Sequence, residues 1–193
     1  MQRRTVRLFL AINPEPEVRA AVHAAAAPLR DAAPMLSWID APRLHLTLKF
    51  LGEQPGDVID RLAGAMDVVA RRHVAILTHL AEFGAFPNFR RARVVWIGMD
   101  HDPRLELLHH EVEIAADTLG FPLEGRPFRP HVTLARVKER PPAGALQALA
   151  RSARLASRER FPLTVRSIDL MRSTLAPGGA AYARLHTSPL RES

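Results

Sequence analysis

Apolar positions along the chain follow two periods. Period two marks Arg7 to Ile12, Met35 to Asp40, His45 to Gly52, Val74 to Phe83, Arg93 to Met99, His131 to Val137, Leu163 to Met171 and Ala181 to His186. Each of these runs predicts a strand. Between them the period lengthens to that of a helix. Asn13 and Pro14 read as an N-cap and first helical position, after which Val18, Val22, Ala25 and Leu29 share one face. Asp102 and Pro103 repeat this start before Leu105, Leu108, Val112, Ala115 and Leu119, and Gly120 supplies the stop. Residues 57–71 and 143–156 fit two further helices, and the Pro/Gly clusters at 141–144 and 177–179 read as turns. Strands and helices that alternate over the whole length predict an α+β or α/β body, with no linker or low-complexity tract to divide it.

A chain of 193 residues that is 47% hydrophobic can bury a full core. One compact, cooperative domain spanning 1–193 is therefore expected. No stretch reaches the ~18 consecutive apolar residues of a membrane span, and the start runs into a strand pattern without a small-residue cleavage site. The expected location is the cytoplasm. The absence of cysteine excludes disulfides, thiolate nucleophiles and Cys-ligated zinc, and leaves nine histidines as candidates for chemistry.

The net charge of +7 is uneven. Residues 1–125 carry 14 basic and 16 acidic side chains, whereas residues 126–193 carry 13 basic and 4 acidic. Arginine makes up 25 of the 27 basic residues, and its planar fork suits a bidentate grip on phosphate. A polyanionic partner fits this bias, as does a compositional habit of an Ala- and Pro-rich chain.

One internal echo carries chemistry. HLTLKFLGE begins at His45 and HVTLARVKE at His131, and each opens His, apolar, Thr, Leu. In a strand, His45 and Thr47 point to one side and Leu46 and Leu48 to the other, while His131 and Thr133 do the same against Val132 and Leu134. A single His-x-Thr is ordinary. Two such tetrapeptides among nine histidines arise by chance on the order of once in ten thousand chains at average residue usage. If the strands face one cleft, two imidazoles and two hydroxyls meet there. That set suits phosphodiester chemistry, because one imidazole can take a proton while the other gives one, and the hydroxyls can donate to nonbridging oxygens. A zinc site is the rival chemistry, but the spacing lacks the i, i+4 helical pair and an obvious third ligand, so no metal and no cofactor are expected.

At this point the sequence resembles the 2H phosphoesterases, and within them the bacterial and archaeal RNA 2′,3′-cyclic phosphodiesterases, also called 2′-5′ RNA ligases. RLFLAI, LHLTLKFLGE, GAFPNFRRARVVWIG, LGFPLEGRPFRPHVTLAR and LMRSTLAPGGAAYARL carry the likeness, in the expected order and over nearly the whole chain. The resemblance implies a bilobal α+β fold with two pseudo-symmetric, interleaved lobes, mainly antiparallel sheets lining a central cleft and helices outside. It implies metal-independent hydrolysis of a 2′,3′-cyclic phosphate on RNA or a nucleotide to a 2′-phosphomonoester, with His45 as proton donor, His131 as proton acceptor, and Thr47 and Thr133 on the phosphate. It also points to Arg136 as a phosphate contact and Phe50 as a surface for a base. Sequence alone leaves open 2′-5′ ligation in the reverse direction and a non-catalytic RNA-binding module. A monomer is expected.

Arg136 and Phe50 each lie five positions after their histidine, an odd offset that a regular strand turns away from the cleft, so a bulge or the strand end must re-aim them. Solvated surface for Arg136 and core for Phe50 stay open. Arg129, Arg90, Arg91 and Arg93 read either as contacts to an RNA backbone or as solvated loop. His109 and His110 read as a polar helix face, Trp38 and Trp96 as strand packing, and Tyr182 and Ser173 as rim residues at most.

Overall fold

A computed structural model describes residues 5–139, 141–176 and 179–192. In chain order it contains β1 (Thr5–Ile12), α1 (Pro16–Ala25), α2 (Ala27–Ala32), β2 (Ser37–Trp38), β3 (Leu46–Pro55), α3 (Ile59–Ala70), β4 (Ile76–Phe86), β5 (Val94–Met99), α4 (Pro103–Asp117), β6 (His131–Arg136), α5 (Ala143–Ala156), β7 (Phe161–Val165), β8 (Ser167–Ala176) and β9 (Gly179–Pro189). The strands form one sheet in the order β7-β4-β5-β6-β3-β1-β8-β9, with β2 paired to β6. Every strand pair in it is antiparallel.

The order is symmetric about its centre, where β3 meets β6 through the pair Leu46↔Val132. Outward from that pair, β1, β8 and β9 extend one half, and β5, β4 and β7 extend the other. The chain crosses between halves more than once. The helix α2 packs on α5, which lies on β4, whereas α4 packs on α3, which lies on β8 and β9. The helices therefore cover one face of each half and bury a core that includes Leu10, Leu46, Leu62, Ile97, Leu108, Val132 and Leu149. Beneath α4, Lys49 and Glu113 form a buried ion pair at 2.7 Å, and Lys49 also donates to the Pro122 carbonyl.

Several boundaries differ from the sequence expectation. The first helix starts at Pro16, not Pro14, because the Asn13 side chain donates to Asp169 at 2.7 Å instead of capping. Pro28 opens a separate helix, since it has no N–H with which to continue α1, so Leu29 belongs to α2. The expected strand at 163–171 is two strands. Phe161, Leu163 and Val165 are buried in β7, then Ile168 and Leu170 in β8, and the switch from odd to even positions marks the crossing from β4 to β1. The cluster at 141–144 opens α5, with Pro142 as its N-cap, and is not a turn. The turn expected at 177–179 falls largely on Pro177 and Gly178, outside the described residues.

Candidate active site

The antiparallel register around Leu46↔Val132 places His45 opposite Thr133 and Thr47 opposite His131. Leu46 and Val132 are buried in the helix-side core, so these four side chains share the other face. The two histidines are then diagonal neighbours, for which a Cβ separation of about 7 Å is typical. Positions 86 residues apart in sequence thus flank one point at the centre of the sheet.

Each imidazole is held in the same way. His45 Nδ1 lies 2.8 Å from the Arg43 carbonyl, and His131 Nδ1 lies 2.7 Å from the Arg129 carbonyl. A carbonyl can only accept, so Nδ1 carries a proton in both rings and Nε2 is the nitrogen left for chemistry. Aromatic rings fix the planes. His45 is flanked by Phe9 and, edge-on, by Tyr182, each with centroids at 4.9 Å. His131 stands edge-on to Phe86 at 5.0 Å, with Trp96 behind it at 6.3 Å.

Two bulges at equivalent places shape the rest. Leu10 pairs with Lys49 and Ala11 with Thr47, which leaves Leu48 as an extra residue on β3. Likewise Val95 pairs with Ala135 and Trp96 with Thr133, which leaves Leu134 as an extra residue on β6. Consecutive residues are consequently buried, Leu48 with Lys49 and Leu134 with Ala135. The alternation shifts by one, and Phe50 and Arg136 come out on the face of Thr47 and Thr133. Phe50 is 57% exposed, which overturns the core reading, and its ring lies 6.3 Å from Phe9. Arg136 is exposed at the end of β6, and its charge reaches both imidazoles.

Burial is the main cause that lowers the pKa of His45 below its ordinary value. The Arg43 carbonyl opposes this, and the charges of Arg136 and Arg19 add to it. His131 is lowered for the same first reason, opposed by the Arg129 carbonyl and assisted by Arg136. Both rings are therefore biased toward the neutral form until an anion enters. Among the described residues no group of three or more His, Asp or Glu is placed to hold a metal ion.

Further cleft residues had weak or no sequence signal. Phe9 and Ala11 alternate on β1 toward this face, with Met171 and Tyr182 packed on them. Tyr182 pairs with Ser173 across β8 and β9. Asp169, 1% exposed, accepts from Asn13 and Thr187, with Arg184 at 3.6 Å. Trp96 packs across the strands on Phe86 and Gly84 as expected, and in addition it backs His131, with its indole nitrogen buried without a partner among the described residues. Trp38 does pack on the core, and its Nε1 donates to Ala33. His109 leaves the expected polar face and stacks on Phe128 at 3.8 Å, whereas His110 is exposed. The side chains of Arg90, Arg91, Arg93 and Arg129 are exposed.

The sequence pattern of the LigT like Phosphoesterase family matches twice, over residues 12–96 and 97–182, so that each copy contains one His-x-Thr strand. The chain belongs to this family. As a LigT-like phosphoesterase it is similar to the RNA 2′,3′-cyclic phosphodiesterase of Archaeoglobus fulgidus, at 31% identity over 181 residues, which is 93% of this chain and 98% of that one. It is 32% identical over 128 residues to the RNA 2′,3′-cyclic phosphodiesterase of Geobacillus stearothermophilus. That match takes in 66% of this chain and 41% of the relative, so this phosphoesterase spans less than half of that protein's length. The crystal structure of E. coli LigT complexed with 3′-AMP has the same fold, with a TM-score of 0.73 at 27% identity over 97% of this chain and 99% of that one.

Proposed function

We propose that this phosphoesterase hydrolyses the 2′,3′-cyclic phosphate end of RNA, or of a nucleotide, to a 2′-phosphomonoester without a metal. The observation that carries this is the diagonal of His45 and His131, each with Nδ1 tied to a carbonyl and Nε2 left for substrate. His131 takes a proton from water as its oxygen attacks phosphorus. His45 gives a proton to the departing 3′ oxygen as the P–O3′ bond breaks. Each transfer is worth about 10²- to 10⁴-fold, and the rings exchange protons with solvent before the next turnover. Thr47 and Thr133 donate to the nonbridging oxygens, where charge grows, and the Arg136 guanidinium adds a further donor to the phosphate. Phe50 offers an exposed ring for the terminal base.

The names of the similar proteins support this substrate class, and the 3′-AMP held by E. coli LigT supports a nucleotide in the cleft. Among the described residues no helix is long and apolar enough to cross a membrane. The enzyme is further proposed to act in the cytoplasm, as a monomer.

The test is product identity. A dinucleotide ending in a 2′,3′-cyclic phosphate, incubated with the protein in EDTA, should yield the 2′-phosphate alone. A 3′-phosphate product, or turnover abolished by EDTA and restored by a divalent ion, would overturn the proposal.

A further inference from the structure

A second groove, of about 780 Å³, lies between α5 and the 3₁₀ turn Phe89–Arg91 that follows β4. Its floor includes Phe89, which packs on the core, and Ala150. Arg90 stands on one wall and Arg151 and Arg154 on the other, with Gln147 one helical turn before Arg151. None of these three guanidiniums has an ion pair or hydrogen bond among the described residues. The walls hold no acid at all: the segment 87–93 reads PNFRRAR, and α5 reads AGALQALARSARLA. Unpaired like charges facing one trough are unfavourable unless an anion fills it, and surfaces that need only solubility mix both signs.

The groove lies on the helix side of the sheet, at the end of β4 where the chain turns toward β5. Phe86, whose ring touches His131, is three residues before Phe89, a path of at most about 11 Å. Arg136 pairs with Val94 at the same end of the sheet, and Val137 donates its N–H to the Arg93 carbonyl. Phe86, Val94 and Arg136 therefore share one end of strands β4, β5 and β6, and the turn that carries Arg90 leaves the sheet from that end. In an RNA that ends in a cyclic phosphate, all the remaining nucleotides lie on the 5′ side of the reacting ribose.

We infer that this groove binds the backbone phosphates of the nucleotides upstream of the reacting end, so that the enzyme is built for RNA chains and handles a mononucleotide with only part of its binding surface. Arginine forks hold single-strand phosphates, and Phe89 with the guanidinium planes provides surfaces for bases without demanding a sequence. This rests on the proposed RNA substrate.

The experiment compares wild type with the double variant Arg151→Gln/Arg154→Gln, both changes being on the exposed face of α5. A second double variant, Arg71→Gln/Arg72→Gln at the end of α3 on the other half, removes the same charge. Binding is read by fluorescence anisotropy with a labelled oligonucleotide that already ends in a 2′-phosphate, across a salt series. Turnover is read with adenosine 2′,3′-cyclic phosphate. The α5 variant should bind the oligonucleotide on the order of tenfold more weakly, with a log–log salt slope shallower by between about 1 and 2. Its mononucleotide turnover should equal wild type, and the α3 variant should match wild type in both. Equal binding by wild type and the α5 variant, or an equal loss in both variants, would overturn the inference. So would an acidic peptide that binds wild type but not the α5 variant while the oligonucleotide binds both alike, which would make the groove a protein-docking site. Because binding is measured on the product end, a wild type that binds the RNA through α5 yet turns over nothing would refute the proposed reaction while leaving the groove assigned.

Discussion

Leu46 sits directly across from Val132, and this is the register pair that joins β3 to β6. Because both side chains are in the core, their neighbours His45, Thr47, His131 and Thr133 face the opposite way together. One backbone pairing therefore converts two distant copies of a short motif into one site.

Arg136 should act on both imidazoles at once. Arg136→Gln removes a positive charge that helps to lower both pKa values, so both rings should titrate higher in the free enzyme. If Arg136 is the phosphate donor we propose, the change also costs on the order of 10²-fold in kcat. NMR titration of the imidazole C–H signals with single-turnover rates checks this; unmoved titration with normal rates would return Arg136 to the solvated surface.

Acid should weaken both activity and the fold. His45 and His131 are lowered from 6.5, chiefly by burial. Between that value and their folded pKa values, the unfolded chain binds more protons than the native one, so stability rises with pH there and is lost as pH falls through the folded pKa values. The free-enzyme profile, kcat/KM, should be a bell with its maximum below pH 6.5 and two pKa values that belong to the pair. A bound phosphate anion raises both rings, so the kcat profile should lie at higher pH. A kcat/KM maximum above pH 7 would contradict this, provided chemistry limits the rate.

Gly84 should be intolerant of any side chain. A Cβ there would meet the Trp96 ring at 2.3 Å. Gly84→Ala should cost about 1–3 kcal/mol by overpacking and lower kcat by shifting the ring behind His131. Thermal unfolding and rates of Gly84→Ala, with and without Trp96→Leu, check this, since the smaller side chain should restore stability.

Lys49 should matter through Glu113. Lys49→Met leaves a buried carboxylate without its ion-pair partner and should cost about 3–5 kcal/mol, whereas Lys49→Met with Glu113→Leu should recover most of that. Denaturant unfolding measures both. If the two interleaved halves are one domain, as we propose, wild type should also show a single transition by far-UV and near-UV signals.

The sequence made the paired motifs and most strands legible because alternation survives wherever one face is core and the other is cleft. It concealed the bulges. Two adjacent core positions at Leu134–Ala135 leave only a faint break in period two, and at Leu48–Lys49 the break is disguised by a charge whose partner, Glu113, is 64 positions away. The join between β7 and β8 was hidden in the same way, since Arg166 separates two runs that differ only in phase. Phe9 and Trp96 read as ordinary strand residues because their contact with an imidazole depends on which strand lies beside them. The arginine groove needs a helix and a loop from distant parts of the chain, and neither segment alone distinguishes it from a solvated surface.

The most direct test of the central claim is the rate of cyclic-phosphate opening in EDTA, under single-turnover conditions, by wild type, His45→Ala and His131→Ala. Each variant should fall by about 10²- to 10⁴-fold while still binding the 2′-phosphorylated product. Wild-type rates in both variants would contradict a reaction shared between the two imidazoles.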